Sequence, residues 1–315
     1  MISIAMTTYN GEKYLSQQID SILNQTYSDF ELIICDDNSN DNTINILKSY
    51  SLKDKRIRVY YNNKNIGFLK NFEKTISYCN GEYIAFSDQD DIWNVNKLEL
   101  SLKNIGDKSL LCTNATCIDN NGNPLNYTMQ DVSGTKKINY KNLCKFLVHK
   151  NFVQGSTILA KTDFIKNNLP IPESFKYHDW YFGFMAALDN QLIYFPISTI
   201  KYRQHFNQVT INKKQSMISN LFIINHTSTQ MHELRCKFIS EQTSLPDYIK
   251  LYAKECEKYY YLMRNNKNFW TYKFYFSNYN DFNFSNNYLY KFFEKIKRIL
   301  GIIKFQIKKM EKHNV

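Results

Sequence analysis

Three carboxylates within four positions stand in the run Ser87-Asp88-Gln89-Asp90-Asp91-Ile92-Trp93. Carboxylates this close repel one another unless solvent or a cation balances them. Hard divalent cations such as Mg²⁺ or Mn²⁺ take oxygen ligands, and Mg²⁺ often uses only one or two carboxylates when substrate phosphates supply the rest. The same run also reads as a solvated acidic turn that caps a helix at Trp93. Two more acidic groups carry possible chemistry. Asp36-Asp37-Asn38-Ser39 suits either a helix-capping loop or an aspartate that accepts the N3–H of a pyrimidine, with Thr7 and Tyr9 packing on the base. Asp179, in Tyr177-His178-Asp179-Trp180, starts a helix, where capping and the macrodipole favour it. That same rigid place suits a general base. Downstream, Tyr202-Arg203-Gln204-His205 supplies a cation and an imidazole able to meet phosphate or metal, or simply ends a surface strand.

The elements that must position these groups alternate between strand and helix patterns. Ile2–Met6 reads as a strand, followed by a helix with Tyr14, Leu15, Ile19, Ile22 and Leu23 on one face. Phe30–Cys35 is a second strand. Asp41 is a plausible N-cap for a helix through Ile44 and Leu47. Ile57–Tyr61, Asn71–Tyr78 and Tyr83–Phe86 read as strand, helix and strand. Such alternation implies a mostly parallel sheet covered on both faces, which binds ligands at the carboxyl ends of its strands. Thr7–Asn10, Asp36-Asp37 and Asp88–Asp91 all fall at such ends. Further on, Leu110–Cys112, Ser156–Leu159 and Gln191–Phe195 look like strands, Asn120–Asn123 a turn, and Asp179–Leu188 a helix. Beyond Asn212 the pattern is helical.

These motifs, in this order, resemble glycosyltransferase family 2. Thr7-Thr8-Tyr9-Asn10-Gly11, Gln25-Thr26-Tyr27, Asp36-Asp37-Asn38-Ser39, Asn65-Ile66-Gly67-Phe68, Gly81-Glu82-Tyr83-Ile84 and Asp88-Gln89-Asp90-Asp91-Ile92-Trp93 match the family's N-terminal pattern. With His178-Asp179-Trp180 and Tyr202-Arg203-Gln204-His205-x-Asn207 downstream, the chain looks like the bacterial rhamnosyltransferase subgroup. The resemblance covers residues 1–212. It implies an α/β fold of GT-A type, a doubly wound and mostly parallel sheet with helices on both faces. A nucleotide-sugar part (1–100) and an acceptor and base part (101–212) would precede a helical extension (213–315). It implies that Thr7, Tyr9 and Asp37 hold the donor nucleoside, with Asn71 among the donor-binding residues and Asp88 near the ribose. Asp90 would bind Mg²⁺ or Mn²⁺, Arg203 or His205 would contact the diphosphate or complete the metal shell, and Asp179 would be the base. Relatives often carry Thr-Gly or Gly-Gly near Gln154-Gly155-Ser156-Thr157, so acceptor contacts there do not carry over.

The implied reaction is inverting transfer from a dTDP- or UDP-sugar to a saccharide or lipid-linked glycan, with L-rhamnose from dTDP-rhamnose first and a UDP-hexose second. A non-catalytic nucleotide-sugar-binding module is the alternative of another class, although no carboxylate the chemistry needs is missing.

Bulk properties agree with this reading. The 315 residues carry a net charge of +11, 43% hydrophobic and 16% aromatic residues. Eight Lys/Arg against Glu294 and Glu311 lie between Tyr288 and Lys312. There Leu289, Phe292, Phe293, Ile296, Ile299, Leu300, Ile303, Ile307 and Met310 recur at helical spacing, a basic amphipathic pattern suited to a membrane surface or to a protein partner. No nucleic-acid motif accompanies the charge. Seven cysteines without a Cys-x-x-Cys pair argue against a disulfide framework or zinc site. The N-terminus lacks a signal-peptide pattern, and no apolar run reaches the ~20 residues of a membrane span. Together these point to a bacterial cytoplasmic protein, peripheral at the inner face of the plasma membrane.

Overall fold

A computed structural model describes residues 1–133, 143–205 and 226–264. The chain divides into two units, residues 1–132 with 151–211, and residues 133–150 with 212–315. The mid-chain segment 133–150 therefore groups with the helical part rather than with the sheet.

The first unit is built on strands β1 (Ile2–Thr8), β2 (Phe30–Asp36), β3 (Ile57–Tyr61) and β4 (Tyr83–Ser87), interleaved with helices α1 (Leu15–Leu23), α2 (Thr43–Lys53) and α3 (Phe68–Ser77). All seven residues of β1 are buried, as an unbroken apolar run covered on both faces must be. Strand order begins β3-β2-β1-β4, all parallel. The order reverses at β1, which lies between β2 and β4, and such a switch point opens a crevice at the carboxyl edge. Register sets Thr8 beside Asp36 and Met6 beside Ser87, so the three polar clusters emerge from one edge. Helix α1 buries Leu15, Ile19 and Ile22, and its buried Gln18 donates to Ser87 Oγ at 2.8 Å.

The second half of the sheet is mixed. It adds β5 (Ile92–Trp93), β6 (Leu110–Ile118), β7 (Pro124–Thr128), β8 (Leu159–Lys161) and β9 (Leu192–Arg203), with helices α4 (Lys97–Ile105), α5 (Met129–Ser133), α7 (Thr162–Asn167) and α8 (His178–Leu188). The order continues β4-β8-β6-β9-β5, with β7 on β6. Strand β8 runs antiparallel to β4 and β6, while β9 runs parallel to β6. The β6–β9 register jumps from Thr113↔Phe195 to Asn114↔Ser198. Pro196 falls in the skipped stretch, because proline has no N–H for the ladder and a bulge accommodates it.

Three local expectations change. Trp93 starts no helix: Ile92 and Trp93 pair with Lys201 and Ile200 of β9, and α4 begins only at Lys97. Asn42, not Asp41, occupies the N-cap of α2, although Asp41 Oδ1 accepts the N–H of Thr43 at 3.0 Å. Gly155–Thr157 forms a 3-10 turn ahead of β8.

In the second unit, α6 (Leu143–His149), α9 (His226–Glu241) and α10 (Asp247–Arg264) enclose a core that includes Phe146, Leu147, Ile239, Ile249 and Ala253. His149 is buried there between the hydroxyls of Tyr260 (2.9 Å) and Tyr252 (2.8 Å). All seven cysteines are buried, and none is in a disulfide. Among the described residues no helix is long and apolar enough to cross a membrane. The basic amphipathic segment 288–312 lies outside the described residues.

Candidate active site

At the β1/β2 edge the two adjacent aspartates do different things. Asp36, fully buried, accepts Thr8 Oγ1 (2.8 Å), Ser39 N–H (2.9 Å) and Ser39 Oγ (2.6 Å), and so staples one strand end to the next loop. Asp37 holds the loop that leads into α3. Its Oδ1 accepts Asn62 Nδ2 and the Ile66 N–H, both at 2.8 Å, and its Oδ2 accepts the Gly67 N–H at 2.9 Å. Gly67 sits at φ +87°, a conformation that favours glycine. The Asn65-Ile66-Gly67-Phe68 motif is thereby explained as a turn shaped to present two N–H groups to Asp37.

Asn71 lies beneath this arrangement, nearly fully buried. Its Nδ2 donates to the Cys35 carbonyl at 2.8 Å and its Oδ1 accepts Asn62 Nδ2 at 2.9 Å. Both ends of its amide serve the Asp37 loop. Asn62 follows the third strand at the same edge, a position that carried a signal the sequence reading did not use. Thr7 is buried at the end of β1, whereas Tyr9 is 45% exposed. The backbone of Tyr9 is clasped at both ends by Gln89, whose Oε1 accepts the Tyr9 N–H (2.9 Å) and whose Nε2 donates to the Tyr9 carbonyl (3.0 Å). The glutamine between the acidic residues therefore ties the loop after β1 to the loop after β4.

The three carboxylates of that second loop have separate environments. Burial, with Asp90 and Asp179 adding repulsion, pushes the Asp88 pKa up to about 8. Asp91 is fully buried and is raised by burial, then by Asp90 and Asp88. Its Oδ1 accepts the Arg203 N–H at 3.0 Å. Lys97, buried with its Nζ 4.2 Å from the Trp93 ring centroid, is brought down to about 7 by burial, against the opposing pull of Asp91. Asp90 meets His205, Oδ2 to Nε2, at 2.8 Å.

Arg203 was expected at the diphosphate or the metal. The structure turns its guanidinium inward, at 1% exposure. Its Nε donates to the Asp90 carbonyl (2.8 Å), Nη2 to Gln17 Oε1 (2.6 Å), and Nη1 to the carbonyls of Asn120 (3.3 Å) and Asp119 (3.4 Å). The cation also lies 4.5 Å from the Tyr14 ring centroid. These contacts join α1, the Asp90 loop and the β6–β7 turn.

One carboxylate oxygen and one imidazole nitrogen stand 2.8 Å apart, a mixed oxygen and nitrogen pair that fits Mn²⁺ better than Mg²⁺, which takes oxygen ligands. Among the described residues no group of three His, Cys, Asp or Glu is assembled for a metal ion. The remaining ligands would then be diphosphate oxygens and water, which is how Mg²⁺ usually meets phosphate substrates. A cation here would also relieve the crowding of Asp88, Asp90 and Asp91, so the residues fit the group.

Asp179 stands in the first turn of α8. Its Oδ1 accepts Asn151 Nδ2 (3.0 Å) and the Trp180 N–H (2.6 Å), and its Oδ2 accepts the Gly155 N–H (3.0 Å). Burial outweighs these donors and raises its pKa to about 7, the range in which a carboxylate can both hold and release a proton near neutrality. Asp88 senses the Asp179 charge, so the two carboxylates share one electrostatic field. Asn151 had no signal in the sequence, because it follows α6 in a stretch without periodicity.

The model for the family described as Glycosyl transferase family 2 matches residues 3–167, ending before Asp179, Arg203 and His205. The E. coli UDP-Glc:alpha-D-GlcNAc-diphosphoundecaprenol beta-1,3-glucosyltransferase WfgD is 31% identical over 68% of this chain and 81% of its own. The dTDP-rhamnosyl transferase RfbG of Shigella flexneri is 33% identical over 64% of this chain and 72% of its own. S. aureus TarS 1-349 in complex with UDP-GlcNAc shares the fold, with TM-score 0.59 and 20% identity over 85% of this chain and 72% of that one. A family match over half the chain, on a sheet whose acidic clusters meet at one edge, leads to one assignment: the chain belongs to glycosyl transferase family 2 and is a glycosyltransferase.

Proposed function

We propose that the chain is an inverting, metal-dependent glycosyltransferase that moves L-rhamnose from dTDP-rhamnose onto a cell-surface polysaccharide or a lipid-linked glycan. The observation that carries the metal-dependent part is the Asp90–His205 pair at the carboxyl edge, in the same field as Asp88 and Asp179. A carboxylate offers about four acceptor positions. Asp37 uses three, on Asn62, Ile66 and Gly67, and keeps one on Oδ2 for a pyrimidine N3–H. Thr7 and Tyr9, at the end of β1, would pack on the base, and Asp88 would lie near the ribose. Asn71 and Arg203 serve as supports, the first under Asp37 and the second behind Asp90.

Asp90 and His205 would hold the divalent cation, which would supply Lewis-acid stabilisation of the departing diphosphate. Asp179 accepts the proton of the acceptor hydroxyl as that oxygen attacks the anomeric carbon, a contribution of ~10²–10⁴ in rate. Attack opposite the diphosphate inverts the anomeric centre, so a β-L-rhamnosyl donor gives an α-linked product.

The rhamnose reading is supported by the Tyr202-Arg203-Gln204-His205 and His178-Asp179-Trp180 motifs and by the likeness to RfbG. A second reading, a UDP-hexose donor, is favoured by the likeness to WfgD, whose name also specifies an undecaprenol-linked acceptor. A panel of nucleotide sugars with Mn²⁺, read as released nucleoside diphosphate, separates them. Release from dTDP-rhamnose alone is expected, and release from UDP-glucose alone would replace the first reading by the second.

A further inference from the structure

Asp179 is held by the loop 151–155, which precedes β8, and the geometry of that loop is over-determined. The Asn151 side chain uses both ends: Oδ1 accepts the Val153 N–H at 3.0 Å, so Nδ2 must face Asp179 Oδ1, where it donates at 3.0 Å. On the other side of the carboxylate, the Gly155 N–H donates to Oδ2 at 3.0 Å. A Cβ at residue 155 would stand 2.9 Å from His178 Nε2 and 3.7 Å from the Asp179 Cβ. Only glycine brings the loop this near. His178 cannot give way easily, since its ring lies 4.1 Å from Phe72, 4.8 Å from Phe86 and 5.6 Å from Phe68, centroid to centroid. The carboxylate is therefore gripped at both oxygens by donors on a loop whose distance is fixed from behind.

The other groups that face Asp179 leave this grip a definite electrical task. Asp88, on the loop after β4, repels it when ionised. Cys112 on β6 is pushed well up by burial and stays a thiol, and His178 on the same helix is brought down to about 3 by burial and stays neutral. Burial opposes ionisation, while the Trp180 N–H, the Gly155 N–H and the Asn151 amide favour it by donating to the charged form.

We propose that Asn151 is a positioning residue for the transfer reaction, its amide working with the Gly155 N–H to aim the Asp179 carboxylate and keep it ionised. The proposal rests on the reading of Asp179 as the base.

Three substitutions test this role against simple support of the loop. Asn151→Asp keeps the shape and the acceptor for Val153 but exchanges the donor for a second carboxylate. Asn151→Leu loses the donor and the Val153 contact together. The readout is the Asp179 carboxyl resonance in protein labelled with carboxyl-¹³C aspartate, identified by its loss in Asp179→Asn and followed through a pH titration. One charge-assisted hydrogen bond corresponds to a shift of about one pH unit. The clamp predicts an upward shift of about one unit in Asn151→Leu and a larger one in Asn151→Asp. A second carboxylate beside Asp179 raises it by repulsion under either role, so the neutral variant Asn151→Ser, which keeps an acceptor for the Val153 N–H, decides. The clamp predicts a titration between wild type and Asn151→Leu, whereas a role confined to loop shape predicts a wild-type titration in Asn151→Ser, and that result overturns the proposal, as does no shift in Asn151→Leu. The base reading fails separately: full nucleoside diphosphate release by Asp179→Asn removes it whatever the titrations give.

Discussion

Arg203 offers a direct contest between two roles for one side chain. Arg203→Met keeps the aliphatic stem and deletes the guanidinium. Two short hydrogen bonds disappear, to the Asp90 carbonyl at 2.8 Å and to Gln17 Oε1 at 2.6 Å; the half-buried Asp90 carbonyl left without its donor costs about 1–3 kcal/mol, whereas the exposed Gln17 turns to water at little cost. The contacts at 3.3 and 3.4 Å add little. Loss of the cation 4.5 Å from the Tyr14 ring adds about 0.5–2 kcal/mol. Removing a buried charge also relieves its desolvation, which favours the lower half of the range, ~2 kcal/mol in all. At ~2–4 °C per kcal/mol for a unit of this size, Tm falls by roughly 6 °C. Thermal unfolding followed by circular dichroism measures this, with Mn²⁺ affinity measured on the same protein below the transition. A support for Asp90 predicts the loss of Tm together with weaker Mn²⁺ binding. An unchanged Tm with collapsed turnover would refute the reasoning and return the guanidinium to the diphosphate.

Asp179→Asn lowers turnover by ~10²–10⁴, the usual contribution of a general base. Because the base acts deprotonated and burial raises its pKa to about 7, wild-type kcat rises with pH through about 7, and a flat profile from pH 5.5 to 8.5 would contradict the assignment. Gly67→Ala places a Cβ at φ +87°, costs about 1–2 kcal/mol and moves the Gly67 N–H off Asp37, so calorimetry should show dTDP binding weakened by about tenfold. Gly81→Ala sets a Cβ 2.5 Å from the Ser3 backbone nitrogen, where no side chain can yield. Its urea midpoint should fall by the equivalent of about 2 kcal/mol, while turnover per folded molecule stays at the wild-type level.

The parallel half of the sheet was legible because a strand buried on both faces writes itself as an unbroken apolar run. The polar clusters after β1, β2 and β4 then had to share an edge. The mixed half was less legible for physical reasons that attach to particular residues. Ile92-Trp93 is too short for any period to show, and its strand exists only because β9 arrives beside it. Strand β9 carries Pro196, whose bulge breaks the alternation. At the site, sequence motifs identified the residue types but not their division of labour. Asp36 and Asp37 are indistinguishable as neighbours in the chain, yet one staples Ser39 and the other holds Gly67. Arg203 and His205 differ by two positions, and the end of β9 sends one inward and the other to Asp90. Asn151 was invisible because its partner lies 28 residues away in a different element.

The cation site is the centre of the account, and its most direct test is the divalent-ion dependence of donor turnover in wild type, Asp90→Ala and His205→Ala. The account predicts that EDTA abolishes wild-type nucleoside diphosphate release and that Mn²⁺ restores it. At saturating Mn²⁺, Asp90→Ala should stay at least about 10²-fold down, consistent with several kcal/mol of Lewis-acid stabilisation, and His205→Ala should require more Mn²⁺ for half-maximal rate. Full wild-type turnover in EDTA, or an Asp90→Ala protein that works as well as wild type, would contradict it.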